Sequence, residues 1–127
     1  MPRAWFAAAL VALACTAPVV AHAGGAVVFV VGRDEPGKLP FHAMSEAYFR
    51  QAMPDATVVT TAGSLADMRE YLVRNRGASP WTHVVLVTHG SPWTGLRAPV
   101  YNGGDKAGFA AIRAAADGGE FPPLPPL

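Results

Sequence analysis

Six consecutive apolar residues, Ala26-Val27-Val28-Phe29-Val30-Val31, lie between Gly24-Gly25 and Gly32. This run narrows the choice of folds more than any other feature of the chain. It is too short for a buried helix, it is rich in β-branched residues and it shows no polar alternation, so it reads as a central strand covered on both faces. A strand of that kind belongs to a parallel sheet with a helical layer on each side.

The segments that follow keep to that plan. Residues 41–53 place Phe41, Met44, Tyr48 and Ala52 on one stripe at helical spacing, with Glu46 and Arg50 four apart on the wet side and Pro54 as a stop. The stripe is expected to face the core. Thr57 to Thr61 is a second short strand. Ser64, with Asp67 three residues on, opens a second helix whose buried stripe is Leu65, Met68 and Leu72; Glu70 and Arg74 pair across one turn and Gly77 ends it. A third apolar strand, His83 to Thr88, stops on the turn His89-Gly90-Ser91. Strand, helix, strand, helix, strand at this pitch is the signature of right-handed βαβ units.

Beyond His89 the pattern loosens. Pro92, Gly95, Pro99 and Asn102-Gly103-Gly104 predict a long loop from Ser91 to Asp105, then an alanine-rich helix over about 106–117 with Phe109 and Ile112 as its larger apolar contacts and Gly118-Gly119 as its exit. Residues 121–127 are polyproline-like. The last helix ought to lead to a fourth parallel strand, and none is legible before Leu127, so the sequence reads as the front part of a longer domain.

The N-terminus has the pattern of a secretory signal over residues 1–23: a short positive start to Arg3, an apolar stretch from Ala4 to Ala14, and an Ala21-His22-Ala23 cleavage site. Thr16, Pro18 and His22 interrupt the run before it reaches membrane-spanning length, and Ala12 argues against lipidation of Cys15. The expected mature domain is 24–127, periplasmic or extracellular. Lys and Arg number 10 and Asp and Glu 9 over the whole sequence. Once Arg3 leaves with the signal the chain is formally neutral, which gives no electrostatic case for nucleic acid or an anionic membrane. Cys15, the one cysteine, leaves with it too.

Chemistry is expected where the third strand ends. If the second strand lies outside the first and the third on its other side, the connection reverses between strands one and three, and a crevice opens at their carboxyl ends. That order brings Arg33 and Asp34 beside His89 and Gly90. His89 can shuttle a proton, and the Gly90 N–H can hold a developing oxyanion. No metal site or cofactor is expected. His83 and His89 are separated by about 20 Å of extended chain, His42 would have to supply a second ligand, and no His-Glu-x-x-His pattern is present. Gly32 and Gly37 match neither a P-loop nor a dinucleotide fingerprint, and Ser91 lacks the Gly-x-Ser-x-Gly elbow of a serine nucleophile.

The hydrophobic strand Val84 to Val87 followed by His89-Gly90-Ser91, set in this order of elements, resembles the caspase-like clan of cysteine peptidases (caspases, gingipains, clostripain and legumain). The resemblance implies a three-layer α/β fold of flavodoxin-like strand order, incomplete at its C-terminus, and a peptide or protein substrate. It makes His89 the catalytic histidine, gives Gly90 to the oxyanion hole, and puts Arg33, Asp34 and Ser91 near the substrate. The clan's catalytic cysteine follows a further strand that has no counterpart here, so the chain is expected to be a fragment or a degenerate member, inactive alone. Two other readings stand beside it. One is a non-catalytic periplasmic binding module that uses Trp93, Leu96 and Tyr101 of the 91–105 segment as its contact surface. The other is a resemblance to sirohydrochlorin-type chelatases, in which a His-Gly-Ser turn follows the first strand instead of the third.

Overall fold

The computed structural model describes residues 25–77 and 80–119. The expected signal segment with Cys15 and the polyproline-like residues 121–127 lie outside the described residues. The element order is β1 (Ala26–Val30), α1 (Phe41–Ala52), β2 (Thr57–Val59), α2 (Leu65–Arg74), β3 (His83–Val87), β4 (Gly90–Ser91), β5 (Gly95–Pro99), β6 (Lys106–Ala107) and α3 (Phe109–Asp117). Among the described residues no helix is long and apolar enough to cross a membrane.

β1 is the centre of a three-stranded parallel sheet of order β2-β1-β3. Val28 pairs with Val58 on one side and Val85 on the other. Every position from Val27 to Val31 is buried, as an uninterrupted apolar strand requires. Val27, Phe29 and Val31 point to one face and pack under α2 with Met68, Leu72, Val59 and Trp81. The Phe29 and Tyr71 rings meet edge to face at 5.5 Å. The Trp81 indole N–H donates to the Leu72 carbonyl at 3.1 Å, which anchors the chain as it enters β3. By strand alternation Val28 and Val30 point to the opposite face, where α1 packs against β1 and β2. The mixed α/β architecture with a parallel sheet is therefore as the sequence implies, and the order β2-β1-β3 puts the reversal between β1 and β3.

α2 follows its sequence signals closely. Ser64 is wholly buried and its hydroxyl accepts the Asp67 N–H at 3.1 Å, while an Asp67 carboxylate oxygen accepts the Gly63 N–H at 2.8 Å. Asn102 donates to both oxygens of Asp67 at 2.8 and 3.0 Å, tying the later chain to this helix start.

α1 differs from the expectation. The stripe Met44, Tyr48 and Ala52 faces solvent, with Met44 54% and Tyr48 63% exposed; the sheet side carries His42, Ser45, Phe49 and Met53. The helix is rotated because His42, polar in sequence, finds partners inside: its Nδ1 lies 3.0 Å from an Asp34 carboxylate oxygen and its Nε2 3.2 Å from the Val31 carbonyl. A fully partnered imidazole can occupy a core position that periodicity alone assigns to an apolar residue.

The segment from Ser91 to Asp105 is not a long loop. β4, β5 and β6 form a second, antiparallel sheet of order β4-β5-β6, with an irregularity between Leu96 and Pro99 where proline cannot donate to the ladder. Gly95 closes the β4–β5 hairpin at φ +74°, and a Cβ there would come within 2.6 Å of the Ala107 carbonyl oxygen. Lys106 and Ala107 belong to this sheet, so the last helix starts at Phe109. α3 packs against β6 through Ala115. Its larger side chains turn outward, with Phe109 80% exposed. Small residues let the helix lie close to the short strands, and that orientation sends Phe109 and Ile112 to the surface.

Candidate functional site

The Val31 N–H donates to the Val87 carbonyl at 2.8 Å, prolonging the β1–β3 pairing to the point where both chains leave the sheet. There the β1–α1 segment and the start of the small sheet diverge around an open cleft of about 570 Å³. Arg33, Asp34, His89, Gly90 and Ser91, the residues singled out from sequence, all line it. Glu35, Lys38, Phe41, Arg97 and Lys106 line it as well and were not foreseen.

His89 is exposed at the rim. One face of its ring lies against Phe41, with centroids 4.2 Å apart and planes inclined by 36°, and its edge meets His42 at 5.2 Å and 81°. Two aromatic neighbours thus limit the rotation of an otherwise solvent-facing imidazole. The His89 carbonyl accepts the Arg97 N–H at 2.7 Å. That bond makes the facing residues Gly90 and Leu96 a non-hydrogen-bonded pair of the antiparallel ladder. The Gly90 N–H is therefore directed away from β5, on the outer edge of the small sheet.

Asp34 contributes to the wall differently from the expectation for a substrate contact. Pro40, at the N-cap of α1, offers no side-chain cap, and the first helical N–H groups need acceptors. Asp34 supplies them from eight residues upstream: one oxygen accepts the His42 N–H at 2.8 Å and contacts the His42 ring, and the other accepts the Ala43 N–H at 3.0 Å. The backbone bond from His42 is the largest cause, followed on the same side by those from Ala43 and the His42 ring, of a carboxyl held below its ordinary value of 3.8 against a smaller desolvation effect. Both carboxylate oxygens are thereby engaged with α1.

Glu35 is paired with Lys38 and lies 3.7 Å from Arg97. Its carboxyl is also held low, first by Lys38 and then by the more distant charges of Arg97 and His89. Ser91 faces its own hairpin: its hydroxyl accepts the Thr94 N–H at 3.0 Å and lies 2.7 Å from the Thr94 hydroxyl. Arg33 and Lys106 have no ion-pair partner among the described residues. No group of three His, Cys, Asp or Glu side chains that could hold a metal ion occurs among the described residues.

Phe41 and His42, which contact the His89 ring, were not legible as site residues, because Phe41 reads as part of a core stripe and His42 as an isolated polar position within the same helix. Arg97 and Lys106 were hidden by the reading of residues 91–105 as a loop. Comparison of the chain with protein-family models, with curated proteins and with solved structures finds no match to any of them.

Proposed function

We propose that this cleft is the histidine and oxyanion half of a hydrolytic site of the caspase-like cysteine-peptidase kind, built to hold an extended peptide. The observation that carries the reading is the placement of His89 and Gly90. They follow the carboxyl end of β3, beside that of the central strand β1 where the strand order reverses, and line one cleft together with Arg33. In such a reaction the imidazole takes the thiol proton as sulfur attacks the scissile carbonyl, and returns it to the departing amine. The outward Gly90 N–H would donate to the carbonyl oxygen as it gains negative charge. The described residues contain no cysteine, so the thiolate would come from outside them, and the described part alone would bind peptide without cleaving it.

A second reading keeps the fold as a non-catalytic binding module. Trp93, 93% exposed at the tip of the β4–β5 hairpin, favours it, since a solvated indole is a ready anchor for a partner.

One experiment separates the two: titration of the isotope-labelled chain with end-capped peptides, followed by backbone amide and imidazole NMR resonances. The cleft reading expects the Gly90 amide, the His89 ring and Arg33 to shift together. Shifts confined to Trp93, Leu96 and Tyr101 would support the second reading, and a cleft whose resonances stay in place up to millimolar peptide would overturn the first.

A further inference from the structure

We propose that Asn102 is a site of spontaneous modification, at which loss of the side-chain amide turns the clasp between the small sheet and α2 into a repulsion. The site is outside the cleft and requires nothing of the peptide reading. Tyr101 to Gly104 form a turn, closed by the Gly104 N–H donating to the Tyr101 carbonyl at 3.0 Å. Gly103, at its third position, has φ +78°, and a Cβ there would meet nothing within 4 Å. Asn102 and Gly103 are both exposed, and the Gly103 N–H donates to no group among the described residues.

That arrangement leaves a nucleophile uncovered. The backbone nitrogen of the residue after an asparagine can attack the asparagine Cγ, and a side chain on that residue ordinarily shields it. At Gly103 there is no shield, solvent reaches the nitrogen, and glycine lets the peptide unit rotate towards Cγ. In the step the Gly103 nitrogen gives up its proton and bonds to Asn102 Cγ, the Cγ–Nδ2 bond breaks, and Nδ2 departs with that proton as ammonia. The product is a cyclic imide. Water then opens the ring: cleavage of the N–Cγ bond leaves aspartate, and cleavage of the bond to the backbone carbonyl carbon leaves isoaspartate, with the main chain running through Cγ. Nothing is oxidised or reduced, and either product carries one new carboxylate.

The surroundings of Asn102 give that charge its effect. Nδ2 donates to both oxygens of Asp67 at 2.8 and 3.0 Å, and Asp67 also accepts the Gly63 N–H at 2.8 Å. A carboxylate in place of the amide has no proton to donate and sets like charges side by side. Next to the clasp the Ala66 N–H donates to the Val100 carbonyl at 3.0 Å, a second bond between the start of α2 and the chain leaving β5. Repulsion at Asn102 loosens this bond, so the Ala66 amide reports the change.

The test incubates the whole chain in mildly alkaline buffer, maps the products by proteolysis and mass spectrometry, and follows hydrogen exchange of the Ala66 amide by NMR. Conversion is expected to concentrate at Asn102, with ammonia released and isoaspartate formed. Exchange at Ala66 is expected to be about tenfold faster in the converted chain, the worth of one lost hydrogen bond to a charged group at an exposed site. Asn102→Asp is expected to reproduce that acceleration without incubation. Combining it with Asp67→Asn is expected to reverse it, because an amide again faces a carboxylate. Asn102→Gln, whose longer side chain disfavours the ring, is expected to stay unconverted. An Asn102 that survives in the folded chain but converts in urea would overturn the proposal, since the clasp would then protect the amide. Conversion without faster exchange at Ala66 would overturn the switch, and a swapped pair that fails to restore slow exchange would show that charge is not its cause.

Discussion

The imidazole of His42 fills the space in which a side chain on residue 32 would stand. A Cβ built on Gly32 would lie 2.3 Å from His42 Nε2, and the Gly32 backbone has φ +129°, a conformation that L-residues rarely adopt. This close approach lets the chain turn from β1 into the cleft wall while α1 stays seated on the sheet. Gly32→Ala is therefore expected to destabilise the fold by about 1–3 kcal/mol through backbone strain, with the displaced ring adding to it. Urea unfolding checks this through a lower midpoint at unchanged slope, and an unaltered midpoint would contradict the packing described.

Asp34 links the same loop to the helix by charge. Its carboxyl is held below 3.8 in the folded protein, so the stabilisation it provides is complete above the unfolded value and disappears as pH falls through the folded one. Asp34→Asn is expected to lower stability at about pH 5, and the gap between wild type and variant is expected to narrow below pH 3.8 as the wild-type carboxyl takes up its proton. Denaturant titrations at several acid pH values would show it. A gap that stays constant down to the acid limit would mean that Asp34 acts through shape alone.

These two positions also show what the sequence could and could not convey. The glycine-bounded apolar run at β1, the Ser64 cap and the His-Gly turn are local signals, and from them follow the β2-β1-β3 order and the meeting of Arg33 with His89. The rotation of α1 is not local. It depends on an acceptor eight residues upstream and on the Val31 carbonyl, which together make a buried histidine acceptable. The small sheet escaped for a related reason: strands of two residues are too short for period-two alternation to register, and Gly, Pro and Asn mark hairpin turns as readily as loops. The outward Phe109 follows from that sheet's position, which the composition of α3 does not encode.

His89→Ala should separate function from folding. The ring is solvent-facing and its ring contacts are Phe41 and His42, so truncation is expected to cost no more than about 1 kcal/mol, within the range of a single aromatic pair. The peptide-induced shift of the Gly90 amide is expected to weaken or vanish. A variant that unfolds at a much lower denaturant concentration would recast His89 as a structural residue and remove the case for a histidine half-site.

Trp93 and Phe109 are both large and largely solvated. Trp93→Ser and Phe109→Ser are each expected to change stability by less than about 0.5 kcal/mol, the usual effect of an exposed substitution. Both are expected to lower the binding of a fluorescent apolar-surface dye. A loss of several kcal/mol in either variant would place that side chain in a core, against the orientation of the β4–β5 hairpin or of α3 seen here.

Thr88 sits between β3 and His89, and its hydroxyl oxygen is buried without a hydrogen-bond partner among the described residues. An unsatisfied buried hydroxyl costs about 1–3 kcal/mol of desolvation, whereas an apolar group of the same shape does not incur that penalty. Thr88→Val, nearly isosteric, is therefore expected to leave stability unchanged or to raise it by up to about 1 kcal/mol, although valine replaces a polar residue one position from the proposed catalytic ring. Paired unfolding curves of wild type and variant measure the effect. A clear loss of stability would show that the hydroxyl has a partner in solution, and peptide binding that fails in a fully stable Thr88→Val would make that partner the ligand.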